Sequence, residues 1–215
     1  MGWQTDISLE DADCIEVALR LKEGEGRMRP LVLNLSDDQE AGGAIMFGSG
    51  AQEESLWRRT ALCVTQKQSF YPLGREAIYS PGVPVLRRSE REGYRWYDVP
   101  KVLDFVACPG LKMPQWVGDD LGEADKEELA ARLHLILRIA ATKGHDAVIL
   151  GAMGCGAWGN PPRAVARIFA KVLPEFQGVF KQIVVAILNT SGRGEIMRAF
   201  EDVFGEVFAG APTTP

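Results

Sequence analysis

The chain predicts a three-layer α/β fold with a mixed, largely parallel central sheet. Short unbroken apolar runs, the mark of strands buried on both faces, alternate along it with longer segments of helical period. Two glycine-rich loops follow such runs directly, where open α/β sheets bind ligands. At 215 residues, 46% of them hydrophobic, the chain is long enough for one sizeable core, which predicts one domain over residues 1–215.

From Asp11 or Asp13 to Lys22, Ile15, Ala18, Leu19 and Leu21 recur at roughly helical spacing, and Gly24 and Gly26 punctuate the end. Pro30 to Leu35 (PLVLNL) reads as a buried strand. It runs into a loop carrying Gly42, Gly43, Gly48 and Gly50, which delivers Gln52, Glu53 and Glu54 to the start of a helix. Ser55 to Gln66 continues as helix, with Leu56, Ala61, Leu62 and Val64 facing inward and Arg58 and Arg59 facing solvent. Pro81 and Pro84 bracket Val83 and Val85 in an extended segment, and Arg87 to Trp96 forms an exposed, charged hairpin or loop.

Leu103 to Cys108 (LDFVAC) is a short apolar run, hence a strand; Pro109, Gly110 and Pro114 then break regular structure, and a loop extends to Gly122. From Glu123 to Lys143, Leu129, Leu133, Ile136, Leu137 and Ala140 repeat at helical spacing up to Gly144. Ala147 to Leu150 is the next strand, followed by the second glycine loop, Gly151 to Gly159. Pro161 and Pro162 start a helix to Leu173, and Gln182 to Leu188 (QIVVAIL) is the last strand. Gly194 to Phe208 is an amphipathic helix with Phe200, Phe204 and Phe208 on one face, and the tail APTTP frays.

A net charge of −5 and a pI near 5.2 exclude a general nucleic-acid binder, whose affinity rests on a basic surface. Any phosphate ligand must be held by local donors. Cys14, Cys63, Cys108 and Cys155 are scattered without a CxxC pair, and His134 and His145 are the only histidines. This is poor material for a metal site or a disulfide framework, and a reducing, intracellular setting, cytoplasmic or nuclear, follows from it. The acidic N-terminus lacks the basic and apolar regions of a secretory signal, and no apolar run reaches membrane-spanning length. Neither a cofactor nor a membrane partner is expected.

The chemistry concentrates between Asn34 and Arg59. A glycine loop brings bare backbone N–H groups up to a phosphate or sugar, and a helix start adds unpaired donors and the positive dipole end. Neither glycine loop is a dinucleotide-binding GxGxxG, and no Walker lysine follows either. Glu53 and Glu54 are adjacent, so they do not flank a bond from opposite faces as the carboxylates of an ordinary glycosidase do. Either one of them does a different job, or the acidic residues merely complement the dipole of a helix's first turn.

The stretch NLSDDQEAGGAIMFGSGAQEESLWRR, followed in order by SFYPL, IYSPGVPVLR and LGAMGCGAWGNPP, resembles the bacterial, or microbial-type, poly(ADP-ribose) glycohydrolases. Those proteins carry three glycines, a short spacer and Gln-Glu-Glu on a macrodomain fold. The resemblance covers most of the chain. It implies hydrolysis of an O-glycosidic ribose bond in poly- or mono-ADP-ribose, with Glu54 as acid and then base and Glu53 orienting the ribose. It implies further that Asn34, Gly42, Gly43, Ala44 and Gln52 line one side of the ligand. Gly151, Gly154, Cys155, Gly156, Ala157 and Trp158 clamp its diphosphate and distal ribose from the other. Asp13 matches an acidic residue that hydrogen-bonds the adenine, or is only a helix N-cap; Trp158 caps the sugar or only packs. The partners implied are ADP-ribose or its polymer and an ADP-ribosylated protein or nucleic-acid end, bound by a monomer. Ala44 replaces the third glycine and Asp37 an amide, departures that bear on polymer cleavage more than on ADP-ribose recognition. The rival reading is an ADP-ribose reader without turnover.

Overall fold

The computed structural model describes residues 3–189 and 194–208. In chain order the elements are β1 (Asp6–Glu10), α1 (Cys14–Glu23), β2 (Pro30–Asn34), α2 (Gln52–Arg59), α3 (Leu62–Thr65), β3 (Ile78–Arg87), β4 (Trp96–Ala107), β5 (Trp116–Val117), β6 (Asp120–Leu121), α4 (Glu123–Thr142), β7 (Ala147–Leu150), α5 (Pro162–Val172), β8 (Gln182–Ala186) and α6 (Glu195–Phe208). Six strands form one sheet in the order β1-β8-β7-β2-β4-β3; every pairing is parallel except that of the edge strand β3 with β4.

Period-two alternation assigns each strand residue to a face. Leu31, Leu33, Val106, Val148, Leu150, Ile183 and Val185 pack against α4, α5 and α6, whereas Val32, Phe105, Ile149 and Val184 pack against α1, α2 and α3. The sheet is thus filled between two helical layers, and Leu129, Leu133, Ile136, Leu137 and Ala140 form the buried stripe of α4 as their spacing predicts. Because the strands are parallel, the carboxyl ends of β2, β4 and β7 emerge side by side on one rim.

Several boundaries differ from the sequence reading. The helix after the first loop starts at Gln52 and stops at Arg59, because Thr60 leaves the helical conformation to bridge Val85 of the edge strand. Val64 is consequently 66% exposed rather than inward. Arg59, expected in solvent, is 1% exposed. The strand expected over 103–108 is the inner half of β4, which runs on outward as the second arm of a hairpin with β3, with Trp96, Val99 and Val102 exposed. The expected loop to Gly122 contains the two-stranded ribbon of β5 and β6. The tail APTTP lies outside the described residues. Among the described residues no helix is long and apolar enough to cross a membrane.

Candidate active site

β2 ends on Asn34, whose side chain is wholly buried. The chain then crosses the rim, and Gly42 and Gly43 adopt positive φ (81° and 57°) before the chain returns as α2. Gly43 has a specific steric reason to be glycine: a Cβ there would fall 2.7 Å from Glu54 Oε1 and 2.9 Å from Glu53 Oε2. Gly42 lies as close to the Trp57 ring, 2.6 Å from a Cβ position. Ala44 takes an ordinary φ of −92°, so a third glycine is not demanded by the backbone; its methyl is exposed.

Gln52 pins the first turn of α2 to the strand. Its Nε2 donates to Leu33 O (2.7 Å) and its Oε1 accepts from Leu35 N (2.8 Å), doing for β2 what a neighbouring peptide group would do. The Gln52 amide is therefore committed to the scaffold. The helix start then holds Glu53 and Glu54 at 3% and 5% exposure, too buried for carboxylates that merely complement a dipole.

Glu53 Oε2 accepts from Asp37 N at 2.6 Å and its Oε1 from Asn34 Nδ2 at 3.4 Å. Burial nevertheless pushes its carboxyl up to about 8; these two donors pull it down, and the negative charges of Glu54 and Asp37 add to the rise. Glu54 Oε1 accepts from Ala44 N at 3.0 Å, while its buried Oε2 makes no hydrogen bond within the protein. The pair thus presents one acid held at both oxygens and a neighbour with one oxygen held and one free.

Asp37 itself closes a turn, its Oδ1 accepting from Gln39 N and Glu40 N. Lys112 Nζ lies 2.9 Å from Asp38 Oδ1, 3.6 Å from Asp37 Oδ2 and 5.3 Å from the Trp158 ring centroid, so one cation links the two loops and offsets the acidic residues of the first.

The second loop leaves β7 at Gly151, buried against Leu35. Asn160, 1% exposed, holds it from within: its Nδ2 donates to Leu111 O (2.6 Å) and Gly154 O (3.1 Å). Gly154 touches this amide and also the backbone of Gly110, so any side chain at either glycine would collide. Cys155 is buried, and burial alone pushes its thiol far above the ordinary range, leaving a small packing residue rather than a nucleophile. Gly156 and Ala157 are exposed at the tip, Trp158 is half-buried, and α5 starts immediately behind at Pro162.

Asp13 is the N-cap of α1, its Oδ1 accepting from Ile15 N and Glu16 N, and its Oδ2 accepts from Arg59 Nη1 at 2.6 Å. Both carboxylate oxygens are engaged, which makes the cap real and adds a buried ion pair that its sequence context does not announce. Four residues of the site region escaped sequence reasoning: Asn160, Gln66, Tyr71 and Lys112. Gln66 is 1% exposed and accepts from Asn34 Nδ2 at 3.0 Å. Tyr71 lies near Ser36, Glu53 and Asp37, and burial first, then the two carboxylates, drives its phenol well above the ordinary range. Gln66 stands at the end of α3 among the polar residues Thr65, Lys67 and Gln68, so nothing in the local pattern marks it as buried.

The family model described as the microbial-type PARG (poly(ADP-ribose) glycohydrolase) catalytic domain matches residues 2–88. Among solved structures, the poly(ADP-ribose) glycohydrolase of Thermomonospora curvata bound to the inhibitor ADP-HPD is 30% identical, with a TM-score of 0.80 over 92% of this chain and 78% of that one. A further structure of that enzyme is 30% identical, with a TM-score of 0.82 over 94% of this chain and 78% of that one. The Deinococcus radiodurans enzyme in complex with ADP-ribose is 25% identical, with a TM-score of 0.81 over 95% of this chain and 86% of that one. No curated protein sequence matches.

Proposed function

The chain belongs to the microbial-type poly(ADP-ribose) glycohydrolase family, a family of glycosidic hydrolases, and from that premise we propose how its own residues do the chemistry. Glu54 is the acid and then the base. The observation that carries this is its asymmetric engagement: Oε1 is fixed by Ala44 N while the buried Oε2 is free of protein partners. A carboxyl held so keeps one oxygen aimed at a reacting group.

Glu54 gives its proton to the ribose oxygen of the leaving group as the anomeric C–O bond breaks and oxocarbenium character develops. Water then attacks the anomeric carbon and returns a proton to Glu54, releasing ADP-ribose and a free hydroxyl on the acceptor. Glu53, with its carboxyl raised to about 8, stays protonated at neutral pH and donates to a ribose hydroxyl. Exposed Gly156 and Ala157, with α5 behind them, offer backbone donors and a dipole to the diphosphate. The ligand is ADP-ribose, as in the Deinococcus complex, and the attached group is a further ADP-ribose unit, a protein side chain or a nucleic-acid end. A single domain working as a monomer inside the cell is the form we assign to it.

The test is release of ADP-ribose from automodified polymerase and from ADP-ribosylated DNA by wild type and Glu54→Gln. Release by the wild type alone is expected. Equal binding of ADP-ribose by both proteins with release by neither would make the protein a reader, and release by Glu54→Gln at the wild-type rate would remove Glu54 from its role.

A further inference from the structure

We infer that Gln66 is a positioning residue for Glu53 and acts through Asn34. The inference rests on the reading of Glu53 and Glu54 given above. Gln66 follows the short helix α3, and its backbone N donates to Leu62 O at 2.8 Å. Its side chain turns inward, to 1% exposure. There its Oε1 accepts from Asn34 Nδ2 at 3.0 Å, and the same Asn34 amide nitrogen donates to Glu53 Oε1 at 3.4 Å. Three separate elements meet in this row: the end of α3, the end of β2 and the start of α2.

Asn34 has a donor end and an acceptor end of nearly equal size, and the two have opposite effects on a carboxyl. Its NH2 group facing Glu53 favours the carboxylate; its oxygen facing Glu53 tolerates only the protonated acid. Gln66 Oε1 selects between them, because it accepts from the same Nδ2 that reaches Glu53 and so holds the nitrogen, not the oxygen, at the carboxyl. Burying an amide here carries a cost that an apolar side chain would not, and Gln66 Nε2 has no hydrogen-bond partner in the protein, so what the amide contributes is the bond its oxygen accepts from Asn34. Gln66 thereby fixes which end of Asn34 Glu53 meets, and with it the proton balance of the carboxyl beside Glu54.

The experiment compares wild type, Gln66→Met and Gln66→Glu by the pH profile of kcat/KM and by ADP-ribose titration. Glu53 is followed directly by carbon NMR on protein labelled at the glutamate side-chain carboxyls, its resonance assigned with Glu53→Gln. In Gln66→Met, Asn34 is released to turn its oxygen to Glu53, so the Glu53 titration, and with it the alkaline limb of the kcat/KM profile, moves up by about one pH unit. Gln66→Glu keeps an acceptor for Asn34. It is expected to hold kcat within about threefold of wild type at its optimum while its added charge also raises the Glu53 titration. Superimposable Glu53 titrations in wild type and Gln66→Met overturn the proposal, whatever happens to kcat. If Gln66→Met does not fold, Gln66→Leu, which also lacks the acceptor, is read in its place, and a Glu53 titration superimposable on that of wild type overturns the proposal equally. Because the NMR titration needs no turnover, its outcome is separate from a failure of Glu54 as the acid, which only the release assay reads.

Discussion

Arg59 Nη1 donates to Asp13 Oδ2 at 2.6 Å, with the arginine side chain fully out of solvent and the aspartate also capping α1. The ion pair ties the end of α2 to the beginning of α1, and so fixes the helix that carries Glu53 and Glu54 against the layer behind it. Its Nη2 has no hydrogen-bond partner, so the guanidinium depends heavily on Asp13. Removing one member of such a pair strands a buried charge, at a cost of about 3–5 kcal/mol. Asp13→Ala should show this loss in urea unfolding, whereas the double variant Asp13→Ala, Arg59→Met, which lacks the cap but strands no charge, should recover most of it. A double variant no more stable than Asp13→Ala would mean that the cap, not the stranded charge, sets the cost.

Gly43 separates geometry from stability. A methyl there meets the carboxyl oxygens of Glu53 and Glu54 within 3 Å at a φ of 57°, so it displaces the acids and strains the backbone. The strain is about 1–2 kcal/mol, a fall in Tm of about 2–8 °C for a chain of this size. Activity should fall much further, by at least about 100-fold, since misplacement of about 1 Å costs that much. Thermal unfolding and initial rates of Gly43→Ala check both, and a rate loss no larger than the stability loss implies would show that the carboxylates are not held by this glycine.

Glu53 makes stability pH-dependent in an unusual direction for an acid. Its carboxyl ordinarily titrates at 4.5 and is raised to about 8 in the fold. Between these values the folded chain binds the proton and the unfolded chain does not, so stability falls as pH rises through this window. Glu53→Gln removes the titration. The variant should gain stability relative to wild type as pH rises from about 5 to about 8, and parallel Tm-against-pH curves for the two proteins would show that Glu53 is not raised.

His145 acts with the opposite sign. Its side chain is fully buried before β7, with Nδ1 3.0 Å from Arg29 O and Nε2 3.1 Å from the Tyr79 hydroxyl. Burial lowers its tendency to take a proton, against the pull of Arg29 O and Asp104. The unfolded chain therefore binds the proton first, and stability is lost as pH falls below 6.5. His145→Gln should flatten the acid side of the stability curve, and an unchanged acid limb in Tm scans would assign that limb to other groups.

The architecture was legible because strand burial and helix stripes are periodic: Leu31, Val32 and Leu33 declare a strand buried on both faces, and Leu129 to Ala140 a helix. The glycine loops and the acids at the start of α2 were legible as local chemistry. What stayed hidden depends on distant partners. Arg59 at a polar helical position reads as solvated, because Asp13, 46 residues away, is what buries it. Thr60 breaks its helix for a bridge to Val85, and a two-residue ribbon such as β5 and β6 is too short to show a period. Gln52, legible as a site residue, proves to spend its amide on Leu33 and Leu35, which no local pattern encodes.

Asn160 offers the sharpest test of the second loop. Its amide nitrogen donates to Leu111 O and Gly154 O, carbonyls from the segments that follow β4 and β7, and Gly154 packs directly on it. Asn160→Ala leaves the buried Leu111 O without its donor, while Gly154 O keeps the backbone N of residue 160, and it opens space beneath the loop, costing about 1–3 kcal/mol of stability. The loop tip at Gly156 and Ala157 then loses the fixed backbone that a diphosphate requires, so the Kd for ADP-ribose should rise by about tenfold or more. Because Glu53 and Glu54 sit in the first turn of α2, the bound substrate should still turn over within about threefold of the wild-type kcat. Calorimetry with ADP-ribose and saturation kinetics read the two effects separately. A variant with unchanged Kd and reduced kcat would place the second loop at the reacting bond instead of at the diphosphate.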